Sequence, residues 1–325
     1  MTPLAASTSA IDPGLLGWAG LLAFLAAMIV VDLRIGSARE GLTVRRAAAW
    51  SAVWVGLAVG FGVVLLVAAP GAAGEAYFAG YVMEKALSLD NVFVFTLIFA
   101  ALAVPVRHQP RLLLWGILIA LVLRGAFIFA GAEALERFSW VAWPFAALLA
   151  WTGYRILRHR EGDDEGARIV ERVRRLVPMT EDASRPGMIV REGGRRVATP
   201  ALAALIAIAL ADVLFAVDSV PAILAITTDT FVVFAANAFA LLGLRALFFL
   251  VSGLVVRFAY LKLGLGVLLL GIAGKLAYAE VTGDKVPTAV TLGTIGAVLA
   301  VSIGASLIAE RRRGDRPGAP VAEAS

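Results

Sequence analysis

Long apolar stretches separated by short polar ones dominate the pattern of this chain. A helix that crosses the hydrocarbon core of a membrane needs about 20 mostly apolar residues, and it satisfies its backbone hydrogen bonds internally. The pattern therefore predicts an all-α, polytopic membrane protein. We expect nine transmembrane helices, called predicted spans one to nine, over residues 14–31, 47–69, 76–104, 111–132, 138–154, 200–227, 230–254, 261–279 and 286–309.

The composition agrees with this pattern, because 60% of the residues are hydrophobic and only 16% are charged. These values exclude an ordinary soluble globular protein. The 325 residues contain no cysteine, which excludes thiol redox centres and Cys-ligated zinc or iron–sulfur sites within them. They also lack the metalloprotease, nucleotide-binding and Ser/His motifs of enzymes. We therefore expect neither an enzyme nor a tightly bound cofactor.

The basic residues mark one side of the membrane rather than a nucleic-acid surface. Of the 29 Lys and Arg residues, 23 lie in alternate connections and only three lie in the other set, with three more inside predicted spans. Lys and Arg concentrate in cytoplasmic loops. The bias therefore predicts that the residues before span one lie outside and that the C-terminus is cytoplasmic.

One connection, 159–199, is long enough to carry structure of its own. Residues 168–179 place apolar side chains at helical spacing beneath arginines, which predicts an interfacial amphipathic helix. Its apolar positions are Ile169, Val173, Leu176 and Val177. A Gly-Gly turn within 187–200 predicts a hairpin, so the loop is either a cytoplasmic cap or a regulatory element. We assign 1–310 to a transmembrane transporter domain and 311–325 to a disordered cytoplasmic tail.

Ionisable residues inside spanning segments are costly and usually functional. The predicted spans contain four acids and three bases: Glu84, Asp90, Asp212, Asp218, Lys85, Arg124 and Arg245. If the bases serve as charge partners of the acids, one carboxylate is left. That carboxylate must be protonated, hydrated or neutralised by a cation.

The charged segments repeat along the chain. EKALSLDNV at 84–92 and DVLFAVDSV at 212–220 both contain two acids six positions apart, followed by an oxygen-bearing side chain and valine. LRGAF at 123–127 matches LRALF at 244–248 in the same order. Spans three to five and six to eight are therefore predicted to be inverted three-helix repeats, an architecture typical of transporters.

Antiparallel packing of spans three and six would place Glu84 level with Asp218, and Asp90 level with Asp212. Six helical residues separate the two levels by roughly 9 Å. Two arrangements remain open. Either the helices are broken beside the second acids, which Pro221 favours in span six, or the two levels are separate stations.

Oxygen donors in this arrangement suit manganese, magnesium or calcium more than copper or zinc. The candidate metal ligands are Glu84, Asp90, Asn91, Asp212, Asp218, Ser219 and Asn237. The competing interpretation is that the acids and bases only hold the helix bundle together. We take Arg124 and Arg245 as structural partners rather than substrate contacts.

At these residues the chain resembles the TerC family of integral membrane proteins, named for tellurite resistance. The segment 84–95, EKALSLDNVFVF, is similar to the first hallmark of the family, and 211–249 is similar to the second. The resemblance covers about 15–310 and extends in kind to the LysE-type exporters. It implies a bacterial inner-membrane exporter of divalent metal, most of all Mn²⁺, with the key positions Glu84, Asp90, Asn91, Asp212, Asp218 and Ser219 carried over.

The leading hypothesis is thus a secondary transporter that exports Mn²⁺ in exchange for protons. The expected partners are a divalent metal ion, protons and the lipid bilayer, with no nucleic acid, and the oligomeric state stays open. The alternative is a non-transporting membrane scaffold in a tellurite or metal stress response, or in membrane-protein assembly. A third hypothesis, export of amino acids or tellurium oxyanions, requires an exposed cationic site and ranks lowest.

Overall fold

A computed structural model describes residues 13–36, 44–69, 71–158, 165–180, 187–192, 194–253, 259–284 and 286–314. At a few of these positions only the backbone is described: 35, 36, 44, 90, 165, 251–253, 259 and 310–314. The side chain of Asp90, a predicted metal ligand, therefore lies outside the described part of the structure. The described residues begin one residue before predicted span one and end inside the predicted tail.

The predicted all-α architecture is confirmed, with one short hairpin added. The elements are α1 Gly14–Gly36, α2 Val44–Ala68, α3 Ala73–Ala101, α4 Gln109–Arg137, α5 Ala142–Arg158, α6 Glu165–Leu176, β1 Ile189–Glu192, β2 Arg195–Ala198, α7 Pro200–Leu224, α8 Thr230–Leu241, α9 Leu244–Gly253, α10 Ala259–Thr282 and α11 Thr288–Gly314. Helix α11 thus continues to Gly314, and 315–325 of the predicted tail lie outside the described residues.

Seven segments of the described residues are long and apolar enough to cross a membrane: Gly14–Arg34, Arg45–Ala68, Val106–Arg137, Pro200–Leu224, Thr230–Leu250, Tyr260–Thr282 and Thr288–Ala309. They coincide with seven of the predicted spans. Helices α3 and α5 occupy predicted spans three and five, but α3 carries four charged residues and α5 has only 17 residues. The chain is a multi-pass membrane protein, and the count of nine spans stays a prediction.

Helix α8 lies at the centre of the bundle. All of its residues from Phe231 to Leu241 are buried. Asp229 begins the helix, since its carboxylate accepts hydrogen bonds from the backbone amides of Phe231 and Val232. By contrast, α1, α2 and α11 present many exposed apolar side chains, such as Leu22, as expected of helices that face lipid.

Of the two arrangements left open by the sequence, broken helices beside the second acids are not found in the described backbone. Helices α3 and α7 both run unbroken past their second acid, and Pro221 lies in the last turn of α7. At this position its missing amide removes one hydrogen bond near the helix end without dividing the helix. Predicted span seven is divided instead, because α8 ends at Leu241 and α9 begins at Leu244. Gly243 has a φ of +79°, a left-handed conformation that favours glycine.

The connection before α7 contains a helix and a hairpin at the predicted places. The apolar face of α6 does not point to lipid, however. Ile169, Val170 and Val173 are buried in one hydrophobic cluster with residues of α3 and α7, whereas Leu176 is 78% exposed. Arg174 Nη2 donates to the carbonyl of Ala101, at the end of α3, over 3.0 Å. Helix α6 thus covers the end of the bundle, because protein offers its apolar face closer packing than lipid does.

Candidate cation site

The best-defined polar cluster in the core is built around Arg124 of α4. Its Nη1 lies 2.5 Å from Glu84 Oε2 of α3, and its Nη2 lies 3.0 Å from Asp212 Oδ1 of α7. Nε also donates to Asp212 Oδ1 over 3.1 Å, and Nη1 lies 3.4 Å from Ser219 Oγ. One planar guanidinium therefore joins three helices, a role for which its fork of donors is suited.

This cluster is removed from water and carries excess negative charge. Arg124, Glu84 and Asp212 are each no more than 1% exposed. With both carboxyls ionised, two negative charges face one positive charge, which leaves one unit of negative charge. Glu84 Oε1 has no hydrogen-bond partner among the described residues. A buried carboxylate oxygen in this state is strongly disfavoured unless a proton or a cation binds it.

The shared guanidinium bears on the predicted alignment of the acids. Glu84 shares Arg124 with Asp212, and its predicted level with Asp218 stays a prediction. The same guanidinium lies within 3.4 Å of Ser219, two helical turns further along α7. The first acids of the two sequence repeats thus meet at one cation, because a forked guanidinium can bind two carboxylates at once.

The second acid of α7 is in a different environment. Asp218 is half-buried, and its Oδ1 accepts a hydrogen bond of 2.8 Å from Thr152 Oγ1 of α5. Thr152 itself is buried, and sequence analysis did not select it. No charge or motif marked it, because a threonine in an apolar helix usually bonds its own backbone.

Buried amide and hydroxyl groups accompany the carboxylates. Asn91 of α3 and Asn237 of α8 are at most 2% exposed, and Ser88 is fully buried. Within the described part of the chain, the Asn91 amide nitrogen, both polar atoms of the Asn237 amide and the Ser88 hydroxyl have no hydrogen-bond partner. Glu84, Ser88 and Asn91 follow helical spacing and so share one face of α3. Buried polar atoms of this kind are rare and point to a ligand, ion or water.

The other two predicted charge partners bind elsewhere. Arg245 of α9 forms an ion pair of 3.1 Å with Asp32 Oδ2 of α1 and also donates to the Asp32 carbonyl. Lys85 Nζ donates over 3.3 Å to the carbonyl of Ala240, in the last turn of α8. The predicted count of four acids against three bases is therefore incomplete. Asp32 was overlooked because it follows directly after the charge-free run 14–31.

These groups supply oxygen atoms that can bind a metal ion, but the described residues do not form a preformed cluster of acidic ligands. Among the described residues, no three acidic or histidine side chains converge as metal ligands. Glu84 Oε1 and Asn237 Oδ1 are nevertheless buried oxygens with unused capacity. The set of carboxylate, amide, hydroxyl and backbone oxygens is the chemistry that Mn²⁺ and Mg²⁺ prefer. The assignment of the predicted acids as metal ligands stays a prediction.

Known proteins that are similar to this chain are membrane proteins. The chain is 42% identical to the "Uncharacterized membrane protein STKORF319" of Myxococcus xanthus, over 92% of this chain and 94% of that protein. It is 38% identical to the "Putative membrane-bound redox modulator Alx" of Escherichia coli (strain K12), over 88% of this chain and 92% of that protein. Both names describe membrane proteins, in agreement with the long apolar helices of this chain.

The family itself is shown by a match to the "Integral membrane protein TerC family" over residues 69–314. This chain therefore belongs to the TerC family, as the resemblance of its two acidic segments indicated. A further relative, the "Uncharacterized membrane protein Mb2742" of Mycobacterium bovis, is 35% identical over 83% of this chain and 70% of that protein. No solved structure matches the chain.

Proposed function

We propose that this protein is a secondary transporter of the bacterial inner membrane that exports a divalent metal ion, most of all Mn²⁺. The observation that carries the proposal is the Arg124 cluster. It combines two buried carboxylates with one guanidinium and includes a carboxylate oxygen without a partner. Such a site favours a cation. Away from water, solvent competes less, and the attraction between a carboxylate and a cation becomes stronger.

The proposed path has nine spans, with α3 and α5 added to the seven apolar segments. Helix α3 contributes the polar face with Glu84, Ser88 and Asn91, which is costly inside a membrane except beside other protein helices. Helix α5 packs against α7 and α10 and supplies Thr152 to Asp218. In this proposal α3–α5 and α7–α10 are the inverted repeats, and the Lys/Arg bias places the N-terminal side outside and the C-terminus in the cytoplasm.

Proton exchange is the coupling that fits the charge of the cluster. Without metal, the excess negative charge is neutralised most simply by a proton on one carboxyl. A metal ion requires the ionised carboxylate, so its binding displaces that proton. On the acidic outer side the reverse exchange releases the metal. Export thus becomes coupled to proton entry.

The scaffold alternative predicts that neutral substitutions of the acids are tolerated and that changes in 159–199 are not. The name of the E. coli relative, a redox modulator, suggests a further role. The 325 residues here contain no cysteine, so a thiol couple cannot reside in them. A redox effect would then be indirect, through the metal that the protein moves.

The test is uptake of divalent ions into everted membrane vesicles that contain the full chain, with Mn²⁺, Mg²⁺, Ca²⁺, Co²⁺ and Zn²⁺ compared. We expect Mn²⁺ uptake driven by an imposed proton gradient. Asp90→Asn and Asp218→Asn should each abolish it while folded protein stays in the membrane, because the family resemblance implies that both are metal ligands and an amide lacks the anionic oxygen.

The matched control is Glu133→Gln, which also neutralises one acid. Glu133 is 56% exposed and pairs on the surface with Arg137, so its loss should leave uptake unchanged. Normal Mn²⁺ uptake by both Asp variants would contradict the transporter and favour the scaffold.

A further inference from the structure

The division between α8 and α9 places a helix end inside the bundle. The candidate span Thr230–Leu250 contains this break near its middle. Carbonyls in the last turn of a helix have no amide four residues on to bind. The amide of Leu242 binds the carbonyl of Ala238, and Lys85 Nζ binds that of Ala240. The end of α8 therefore already holds one cation, a lysine ammonium supplied by α3.

The break between α8 and α9 is fixed by the conformation and packing of Gly243. A side chain at Gly243 would lie 2.8 Å from Trp54 Cβ of α2, and the backbone there is left-handed. Glycine thus permits both the conformation and the close approach of α2. Helix α3 packs against both α8 and α9, so it passes the break at short range.

The register of α3 against α8 brings further oxygens to the same level. A side chain at Gly80 would lie 3.3 Å from Ala236 Cβ. Five residues beyond Gly80, Lys85 binds the carbonyl of Ala240, four residues beyond Ala236, so the two helices run parallel here. Ser88 is eight residues beyond Gly80, so in this parallel register it comes level with about Leu244, the first residue after the break. Ser88 is fully buried and its hydroxyl has no partner among the described residues. It lies one helical turn from Glu84, whose Oε1 is also unpartnered.

We propose that the end of α8 is a second cation site, in which the Lys85 ammonium occupies the position that a transported metal ion takes. The carbonyls of the last turn of α8 and the Ser88 hydroxyl supply its oxygens. Identification of the cation as a divalent metal rests on the proposed function. Lysine suits this role because its compact charge sits on a flexible stem that can withdraw.

The consequence is competition between Lys85 and the metal. Two cations a few ångström apart repel strongly where the dielectric constant is low. Loss of the ammonium should therefore improve metal binding, whereas an ordinary structural lysine would leave it unchanged. A coupling of the usual size between two sites corresponds to about tenfold in the dissociation constant.

The experiment is Mn²⁺ titration of the purified full chain in detergent, with free Mn²⁺ followed by electron paramagnetic resonance. Lys85→Met should bind Mn²⁺ about tenfold more tightly than the wild type. Lys85→Arg keeps the charge and should show no gain, and addition of Ser88→Ala to Lys85→Met should remove the gain. The matched control is Lys262→Met, which removes an exposed lysine beside the ring of Phe93. Equal affinity in Lys85→Met and Lys262→Met would overturn the proposal.

A second measurement does not depend on metal transport. Lys85→Ala leaves room for a small cation, so ethylammonium should raise its melting temperature in detergent, whereas the larger tetramethylammonium should not. No rescue by ethylammonium would overturn the site. If the wild type and all variants bind no Mn²⁺ but ethylammonium rescues Lys85→Ala, the site stands and the proposed metal export fails.

Discussion

Arg124 and Arg245 occupy matching Leu-Arg segments of the sequence, yet their surroundings differ in charge. Arg124 joins Glu84 and Asp212 in the interior, and that cluster has an excess negative charge. Among the described side chains, the acid paired with Arg245 is Asp32 of α1, whose side chain is 13% exposed. The same arginine motif can therefore build a site with unused binding capacity or a neutral anchor, depending on how many acids reach it.

The difference follows from position in the bundle. Helix α4 packs against α7 and α8 in the interior, and there acids of α3 and α7 both reach Arg124. Helix α9 packs mainly against α2 and α3, and the acid that reaches Arg245 comes from α1 at the periphery. We therefore attribute function to the first arginine and attachment of α1 to the second.

The largest effect expected from this comparison is that of Arg124→Ala. It leaves Glu84 and Asp212 buried without their shared partner, which should cost about 3–5 kcal/mol. Protein abundance in the membrane and the melting temperature in detergent should both fall sharply. The control is Arg137→Ala, which removes an exposed arginine paired with Glu133. Similar abundance of the two variants would show that the Arg124 cluster does not stabilise the folded protein.

A smaller effect is expected when the anchor is broken. Arg245→Ala and Asp32→Asn should each destabilise the protein, and a double-mutant cycle should give a coupling of about 0.5–3 kcal/mol. Because this pair is neutral by itself and belongs to α9 and α1 rather than to the Arg124 cluster, Mn²⁺ transport per folded molecule should persist. Loss of transport without loss of folded protein would place Arg245 in the transport path and remove the distinction.

The smallest effect concerns the hydrogen bond between α5 and α7. Thr152→Val removes the hydroxyl that donates to Asp218, which should cost about 1 kcal/mol, measured as a modest drop in melting temperature. Thr152→Ser keeps the hydroxyl and should behave more like the wild type. Equal melting temperatures for Thr152→Val, Thr152→Ser and the wild type would exclude a stabilising role for this bond.

The sequence predicted the helices better than the contacts between their side chains. Helix positions follow from apolar length, which is local, so α1, α2, α4 and α11 begin and end within a few residues of their predicted spans. The importance of Glu84 and Asp212 was also visible, because a charge inside an apolar run is conspicuous.

Long-range packing decided what the sequence left open. Pro221 suggested a break in α7, but the interruption lies at Gly243, where contact with Trp54 of α2 excludes a side chain. Asp32 looked like a loop residue until the packing of α1 brought it to Arg245. Both depend on partners far away in the chain, which no local pattern encodes.

The central claim is that the buried cluster around Arg124 binds a divalent cation in place of a proton. The most direct test is Mn²⁺ binding to purified protein between pH 5.5 and 8.5, with proton release followed in weak buffer and Glu84→Gln compared with Glu133→Gln. We predict that the wild type and Glu133→Gln bind Mn²⁺ more weakly as the pH falls and release protons on binding, because only the ionised carboxylate is a ligand. Glu84→Gln should lose the binding. Mn²⁺ binding that is independent of pH, releases no protons and is unchanged in Glu84→Gln would contradict the account.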